Sequence, residues 1–65
     1  MTIFLNGAEI DVQSGTLDAL ITELGYGEAR VATALNGDFV PKSQRAETAI
    51  AEGDRLEVLA PLQGG

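Results

Sequence analysis

The chain has 65 residues, 45% of them hydrophobic, which suffices for one small folded core and leaves no room for a second domain. Ten acidic against four basic residues give a net charge of −6, which disfavours nucleic-acid binding and favours a partner with a basic surface. The absence of Cys and His excludes disulfides, the usual zinc sites, and Ser-His-Asp or Cys-His catalysis.

The start of the chain predicts a β-hairpin. Residues 1–6 alternate as a strand does, with Phe4 on the face opposite to its apolar neighbours. Asn6-Gly7 is a strong turn signal, because both residue types tolerate positive φ. Residues 9–12 alternate again and complete the hairpin.

The hairpin is followed by a pattern typical of an amphipathic helix. Thr16 is the expected N-cap and Gly25 the expected end, in the left-handed conformation that terminates many helices. The apolar residues between them recur at i, i+3, i+4 and i+7 and form one stripe: Leu17, Leu20, Ile21 and Leu24.

The second half predicts further strands joined by turns. Residues 31–35 read as a third strand, and a second Asn-Gly pair connects it to a short return strand at 38–40. Pro41 follows directly and restricts that strand to the edge of a sheet. Residues 42–50 are expected to form a loop with a helical turn, and residues 55–59 a last strand.

These elements predict an α+β fold, a mixed four- to five-stranded sheet with one main helix on one face. The domain is expected to span residues 1–60, and residues 61–65 are expected to form a flexible tail that ends in two glycines. Since one helix covers only one face, Phe4 and Leu59 would lie on the open face, unless a loop covers them. Exposed apolar patches often mark contact surfaces, although scattered apolar residues also occur without a function.

Five segments carry a resemblance to a known family. They are the opening hairpin with Asn6-Gly7, SGTLDALITELG (14–25), ALNGDFVPKS (34–43), EGDRLEVL (52–59) and the terminal LAPLQGG (59–65). Together they resemble the ubiquitin-like β-grasp sulfur carriers, most closely the ThiS family of thiamine biosynthesis, over the whole chain. One departure is Lys42-Ser43-Gln44-Arg45, where such carriers often have Arg-Ser and an aromatic residue, so partner contacts through this loop stay open.

The resemblance implies a carrier rather than an enzyme, with Gly65 as its reacting group and no cofactor or metal of its own. A ThiF-like adenylyltransferase would use ATP and Mg²⁺ to adenylate the Gly65 carboxylate. A sulfur relay that starts at a cysteine desulfurase would then form a thiocarboxylate. A ThiG-like thiazole synthase would take the sulfur for the thiazole ring of thiamine.

The composition of the tail suits this chemistry. A terminal α-carboxyl group titrates at about 3.3–3.7, so at neutral pH Gly65 would be an anion able to attack ATP. Gly64 lets the backbone enter a narrow channel, and Leu62 with Gln63 and the two glycines extends over about 13 Å. Pro61 has a fixed φ and lowers the entropic cost of ordering the root of the tail. Leu62 is expected to fill an apolar pocket of the partner.

Docking is expected to use Phe4 and Leu59 together with Leu62, while acidic residues such as Glu57 steer the encounter.

No run approaches the roughly 20 apolar residues that cross a bilayer, and no basic signal-peptide start is present, so a cytoplasmic protein without membrane or nucleic-acid partners is expected. Three alternatives remain: a MoaD-like small subunit of molybdopterin synthase, a ubiquitin-like modifier joined through Gly65 to lysines, and a binding module without tail chemistry. MoaD-like subunits are usually longer than this chain, which favours the role in thiamine biosynthesis.

Overall fold

Five β-strands, one α-helix and one 3₁₀ helix make up the part of the chain that the computed structural model describes, residues 1–27 and 30–60. The elements are β1 (Thr2–Leu5), β2 (Ala8–Asp11), α1 (Leu17–Glu23), β3 (Ala32–Leu35), β4 (Asp38–Val40), the 3₁₀ helix (Lys42–Glu47) and β5 (Arg55–Leu59). The sheet order is β2-β1-β5-β3-β4. β1 and β5 are parallel at the centre, and the other neighbours are antiparallel. The predicted mixed sheet is confirmed.

Both Asn-Gly pairs form the turns that the sequence predicts. Asn6 and Gly7 have φ values of 49° and 87°, and Asn36 and Gly37 have values of 54° and 90°. Positive φ at both central residues suits the right-handed twist of the flanking strands, which is why Asn-Gly is favoured there. The turn at Asn6 joins β1 to β2, and the turn at Asn36 joins β3 to β4.

Helix α1 begins and ends where its capping residues predict. The Thr16 hydroxyl accepts a hydrogen bond from the Ala19 N–H at 3.3 Å, as an N-cap residue does. At the other end Gly25 has a φ of 90°, and its N–H donates to the Thr22 carbonyl at 3.0 Å. The N–H of Tyr26 donates to Ile21 at 3.0 Å, which completes a Schellman motif.

A carboxylate fastens α1 to the segment before it. Glu23 accepts hydrogen bonds from the backbone N–H of Gln13 at 3.1 Å and of Ser14 at 2.9 Å. It also accepts one from the Ser14 hydroxyl at 2.6 Å. The hydroxyl of Ser14, followed by the Gln13 N–H, lowers the pKa of Glu23 below its ordinary value of 4.5.

The core lies between α1 and the facing side of the sheet. Leu17, Leu20 and Ile21 of the helix are buried, as their spacing predicts, while Leu24 is half-buried. The alternation predicted for β5 is also confirmed, since Leu56 and Val58 point into the core. The remaining buried apolar residues are Ile3, Val12, Val40 and Ile50.

The segment after Pro41 buries a cation, which the sequence analysis did not predict. It predicted only a loop with a helical turn, and the 3₁₀ helix provides that turn. Arg45 is 5% exposed. Its Nη2 donates to the Val31 carbonyl at 2.6 Å, and its Nε donates to the Thr33 hydroxyl at 3.1 Å. Thr33 in turn donates to the Val40 carbonyl at 2.7 Å, so one buried network joins this helix to β3 and β4.

Candidate functional site

The face of the sheet opposite α1, which we call the outer face, carries three of the residues predicted for docking, Phe4, Glu57 and Leu59. On β1 and β5, Phe4 lies opposite Arg55. Ala34 of β3 lies between Glu57 on one side and Phe39 on the other. In the next row on this face, Ala32 lies opposite Leu59, the last residue of β5. Since alternate strand residues share a face, these rows form one continuous surface.

Phe4 is less open than the sequence predicts. It points away from α1, as expected, but it is half-buried rather than exposed. Phe4 lines an open groove of about 640 Å³, whose other walls come from the two turn glycines and the first residues of β5: Gly7, Gly37, Arg55, Leu56 and Glu57. Phe4 is paired with Glu9 on β2 and with Arg55 on β5, whose side chains share its face of the sheet. Glu57 lies in the same groove, so the structure brings two of the three predicted docking residues together.

Leu59, the third predicted docking residue, is exposed over 66% of its surface. It lies four residues beyond Arg55 along β5, so about 13 Å separate it along the strand from the row that contains Phe4. Phe39, which the sequence analysis did not single out, is 69% exposed. The strand pattern could have indicated the exposure of Phe39, because Val40 points into the core and its neighbour along the strand must therefore point outward.

The tail itself lies outside the described residues. Ala60 is the last residue that the structure describes, directly after the end of β5. The predicted roles of Pro61, Leu62, Gln63, Gly64 and Gly65 therefore stay predictions. The structure does place the root of this segment at the end of a central strand, next to the exposed Leu59.

The described part of the chain has neither a cluster of metal-binding side chains nor a helix that could span a membrane. Among residues 1–27 and 30–60, no group of three or more Asp or Glu side chains is arranged to hold a metal ion. No helix there has the length and apolar character needed to cross a membrane.

Comparison with solved structures identifies the fold. The chain superposes with a TM-score of 0.85 on the crystal structure of the thiamine biosynthesis protein (ThiS) from Geobacter metallireducens, at 26% identity and with both chains covered in full. An NMR solution structure of a thiamine biosynthesis protein from the same organism gives a TM-score of 0.81 at 25% identity, covering 100% of this chain and 88% of that one. The fold is thus that of the ubiquitin-like β-grasp carriers.

The family follows from the sequence comparison. The model of the ThiS family matches residues 3–65. The chain therefore belongs to the ThiS family, the sulfur carriers of thiamine biosynthesis. A curated relative, the thiazole synthase of Paramagnetospirillum magneticum, is 39% identical over 66 residues. The match takes in 100% of this chain and 20% of the relative, so the chain spans about a fifth of that protein's length.

Proposed function

We propose that the chain carries sulfur as a thiocarboxylate on Gly65. A ThiF-like adenylyltransferase adenylates the Gly65 carboxylate with ATP and Mg²⁺, and a relay from a cysteine desulfurase supplies the sulfur. A thiazole synthase then accepts it. The observation that carries this proposal is the family match, which runs through residue 65 and thus includes the Gly-Gly end. In this scheme the chain is a substrate of its partners and not itself an enzyme.

The chemistry requires activation of a poor acyl donor. A carboxylate does not transfer its acyl group, because the leaving group would be an oxide. Attack of the Gly65 oxygen on the α-phosphate of ATP releases pyrophosphate and forms an acyl adenylate. The terminal sulfur of a persulfide from the relay then attacks the acyl carbon and releases AMP, and a thiol reductant cleaves the resulting acyl disulfide to the thiocarboxylate. The ATP and Mg²⁺ bind to the activating enzyme, and this chain contributes the carboxylate and the reach of residues 62–65, about 13 Å when extended.

The outer face is the surface that we propose for docking. Leu59 and Phe39 expose most of their side chains to solvent, and large exposed apolar residues on a small domain suit a contact surface. Glu57 lies between them and Phe4 on the same face, where its charge steers a basic partner. The face adjoins the root of the tail, so a partner that binds it has the tail within reach.

A thiazole synthase is the proposed acceptor of the sulfur. The relative from Paramagnetospirillum magneticum bears the name thiazole synthase and contains a segment similar to the whole of this chain. A carrier segment within the same polypeptide as the synthase would have a high effective concentration at the acceptor site. This favours the thiamine assignment over a MoaD-like role.

Genetic complementation tests the proposal and separates it from its alternatives. Deletion of the gene should create a requirement for the thiazole moiety, which the wild-type chain removes. Two variants, one without Gly65 and one extended by a single alanine after it, should fail, since both displace the reacting carboxylate. A matched variant with Gln13→Asn, at an exposed residue outside the tail, keeps the end unchanged and should complement. Growth restored by the shortened or the extended variant would refute the proposal. A requirement for molybdopterin instead would favour the MoaD-like role, and adducts on lysines would favour a modifier.

A further inference from the structure

The side chain of Asn6 does more than form a turn. Its backbone N–H donates to the Leu56 carbonyl at 2.9 Å, which continues the pairing of β1 with β5. Its side-chain Oδ1 accepts from the Val58 N–H at 2.9 Å, and its Nδ2 donates to the Val58 carbonyl at 3.2 Å. The side-chain amide thus replaces the two backbone bonds that Val58 would exchange with a longer β1, although the chain has already turned away towards β2.

These two bonds secure the end of β5 on its β1 side. Alternate residues of a strand direct their backbone groups towards opposite neighbours. Leu59 pairs with Ala32 on the β3 side. On the side of β5 that faces β1, the side-chain amide of Asn6 is the only hydrogen-bond partner that the described residues provide for the N–H and carbonyl of Val58. Val58 itself is buried, so loss of that amide would leave backbone groups poorly satisfied at the point where the strand leads into residues 60–65.

The second Asn-Gly turn provides a natural comparison. Asn36 holds the opposite end of the same strand, since its Oδ1 accepts from the Arg55 N–H at 2.9 Å. Its backbone N–H donates to the Arg55 carbonyl at 2.7 Å, and its Nδ2 donates to Asp54 at 3.0 Å. The two asparagines therefore have the same turn conformation and similar bonds to β5. They differ in which end of the strand they hold.

We propose that Asn6 is a positioning residue that fixes the root of the tail, so that the Gly65 carboxylate enters the activating enzyme from an ordered strand end. This inference rests on the proposed function, since it assigns Asn6 a part in the activation of Gly65. Without the amide, the end of β5 populates frayed states, and the enzyme must select the ordered one. The apparent affinity then falls in proportion to the ordered fraction, and turnover at saturation is preserved.

Two substitutions separate this role from turn formation. Asn6→Asp keeps the shape of the side chain, and Asp-Gly also forms this type of turn. The carboxylate has no N–H to donate, so an oxygen would face the Val58 carbonyl oxygen. Asn6→Gly keeps the positive φ and removes both side-chain bonds. Asn36→Gly makes the same change at the other end of β5 and is the matched control.

The test is the ATP–pyrophosphate exchange catalysed by the ThiF-like enzyme, measured against carrier concentration at a temperature where all variants are folded. We expect both Asn6 variants to raise KM about tenfold with kcat nearly unchanged, because Asn6→Gly loses two hydrogen bonds, whereas Asn6→Asp loses one and sets an oxygen against the Val58 carbonyl. Asn36→Gly should leave both constants near wild type. Amide hydrogen exchange provides a second readout: protection of the Val58 N–H should fall in Asn6→Gly, which removes its acceptor, and persist in Asn36→Gly.

The outcomes distinguish this inference from the proposed function. Equal KM values for Asn6→Gly and Asn36→Gly, or an Asn6→Asp variant that behaves as wild type, would overturn the role of Asn6 while activation of Gly65 stands. Failure of the wild-type chain to support exchange would overturn the proposed function, and with it the role of Asn6 in activation. Unchanged protection of the Val58 N–H in Asn6→Gly would overturn the structural basis of the inference directly.

Discussion

Replacement of Arg45 by methionine should destabilise the protein severely. Methionine retains the apolar stem of the side chain and removes the charge and all of its donors. The guanidinium is 5% exposed and donates to the Val31 carbonyl at 2.6 Å and to the Thr33 hydroxyl at 3.1 Å. Hydrogen bonds from charged donors contribute about 1.5–3 kcal/mol each, although release of the charge from its buried site offsets part of this.

The net loss expected for Arg45→Met is about 2–4 kcal/mol in the free energy of unfolding. A domain of this size has in total about 3–10 kcal/mol, so the substitution removes a large share of its stability. A loss of 1 kcal/mol lowers the Tm of a domain this small by about 4–8 °C, so we expect a decrease of at least 8 °C. Urea unfolding followed by circular dichroism measures the change.

Lys42→Met is the matched control, because Lys42 is an exposed cation on the same 3₁₀ helix. Its effect should stay within about 0.5 kcal/mol. A double-mutant cycle of Arg45→Met with Thr33→Val should show a coupling of about 1 kcal/mol or more, since the two side chains share a hydrogen bond. If Arg45→Met unfolds at the same urea concentration as Lys42→Met, the buried network does not stabilise the fold and the reasoning is refuted.

Two further predictions concern the outer face and the dependence on pH. Leu59→Ser should leave the free energy of unfolding in urea within about 0.5 kcal/mol of the wild-type value, because the side chain is 66% exposed. The same substitution should weaken binding to the activating enzyme in calorimetry, and unchanged binding would remove Leu59 from the docking surface. Glu23 has a folded-state pKa below 4.5, so its stabilising effect is complete above that pH and is lost as the pH falls through the folded pKa. The stability deficit of Glu23→Gln at neutral pH should therefore vanish in acid, whereas Glu47→Gln should show no such deficit; a deficit that persists in acid would contradict this account.

Local signals were sufficient to predict most of the fold. Alternation of apolar residues identified the strands, and the Asn-Gly pairs identified both hairpin turns because few other dipeptides tolerate positive φ twice in succession. The helix was predicted from its stripe and its caps, Thr16 and Gly25, each of which acts within four residues of the sequence. These features depend on neighbours along the chain, so a single sequence contains them.

The features that escaped prediction depend on distant parts of the chain. An arginine in a segment without clear periodicity is expected at the surface, whereas the fold buries Arg45 and gives it hydrogen bonds to Thr33 and Val31, which lie 12 and 14 positions away. The second role of Asn6 requires the parallel register of β1 with β5, which brings together residues 52 positions apart. The surroundings of Phe4 depend on the same register, which places Arg55 beside it on the same face.

The central claim is tested most directly by the intact mass of the carrier after incubation with the activating enzyme, ATP, Mg²⁺, a cysteine desulfurase with cysteine, and a thiol reductant that releases the sulfur from its persulfide. We predict that one oxygen is exchanged for sulfur, that fragmentation places the sulfur on Gly65, and that omission of ATP prevents the change. A carrier whose mass stays the same under the complete conditions, or one that gains sulfur at another residue, would contradict the central claim.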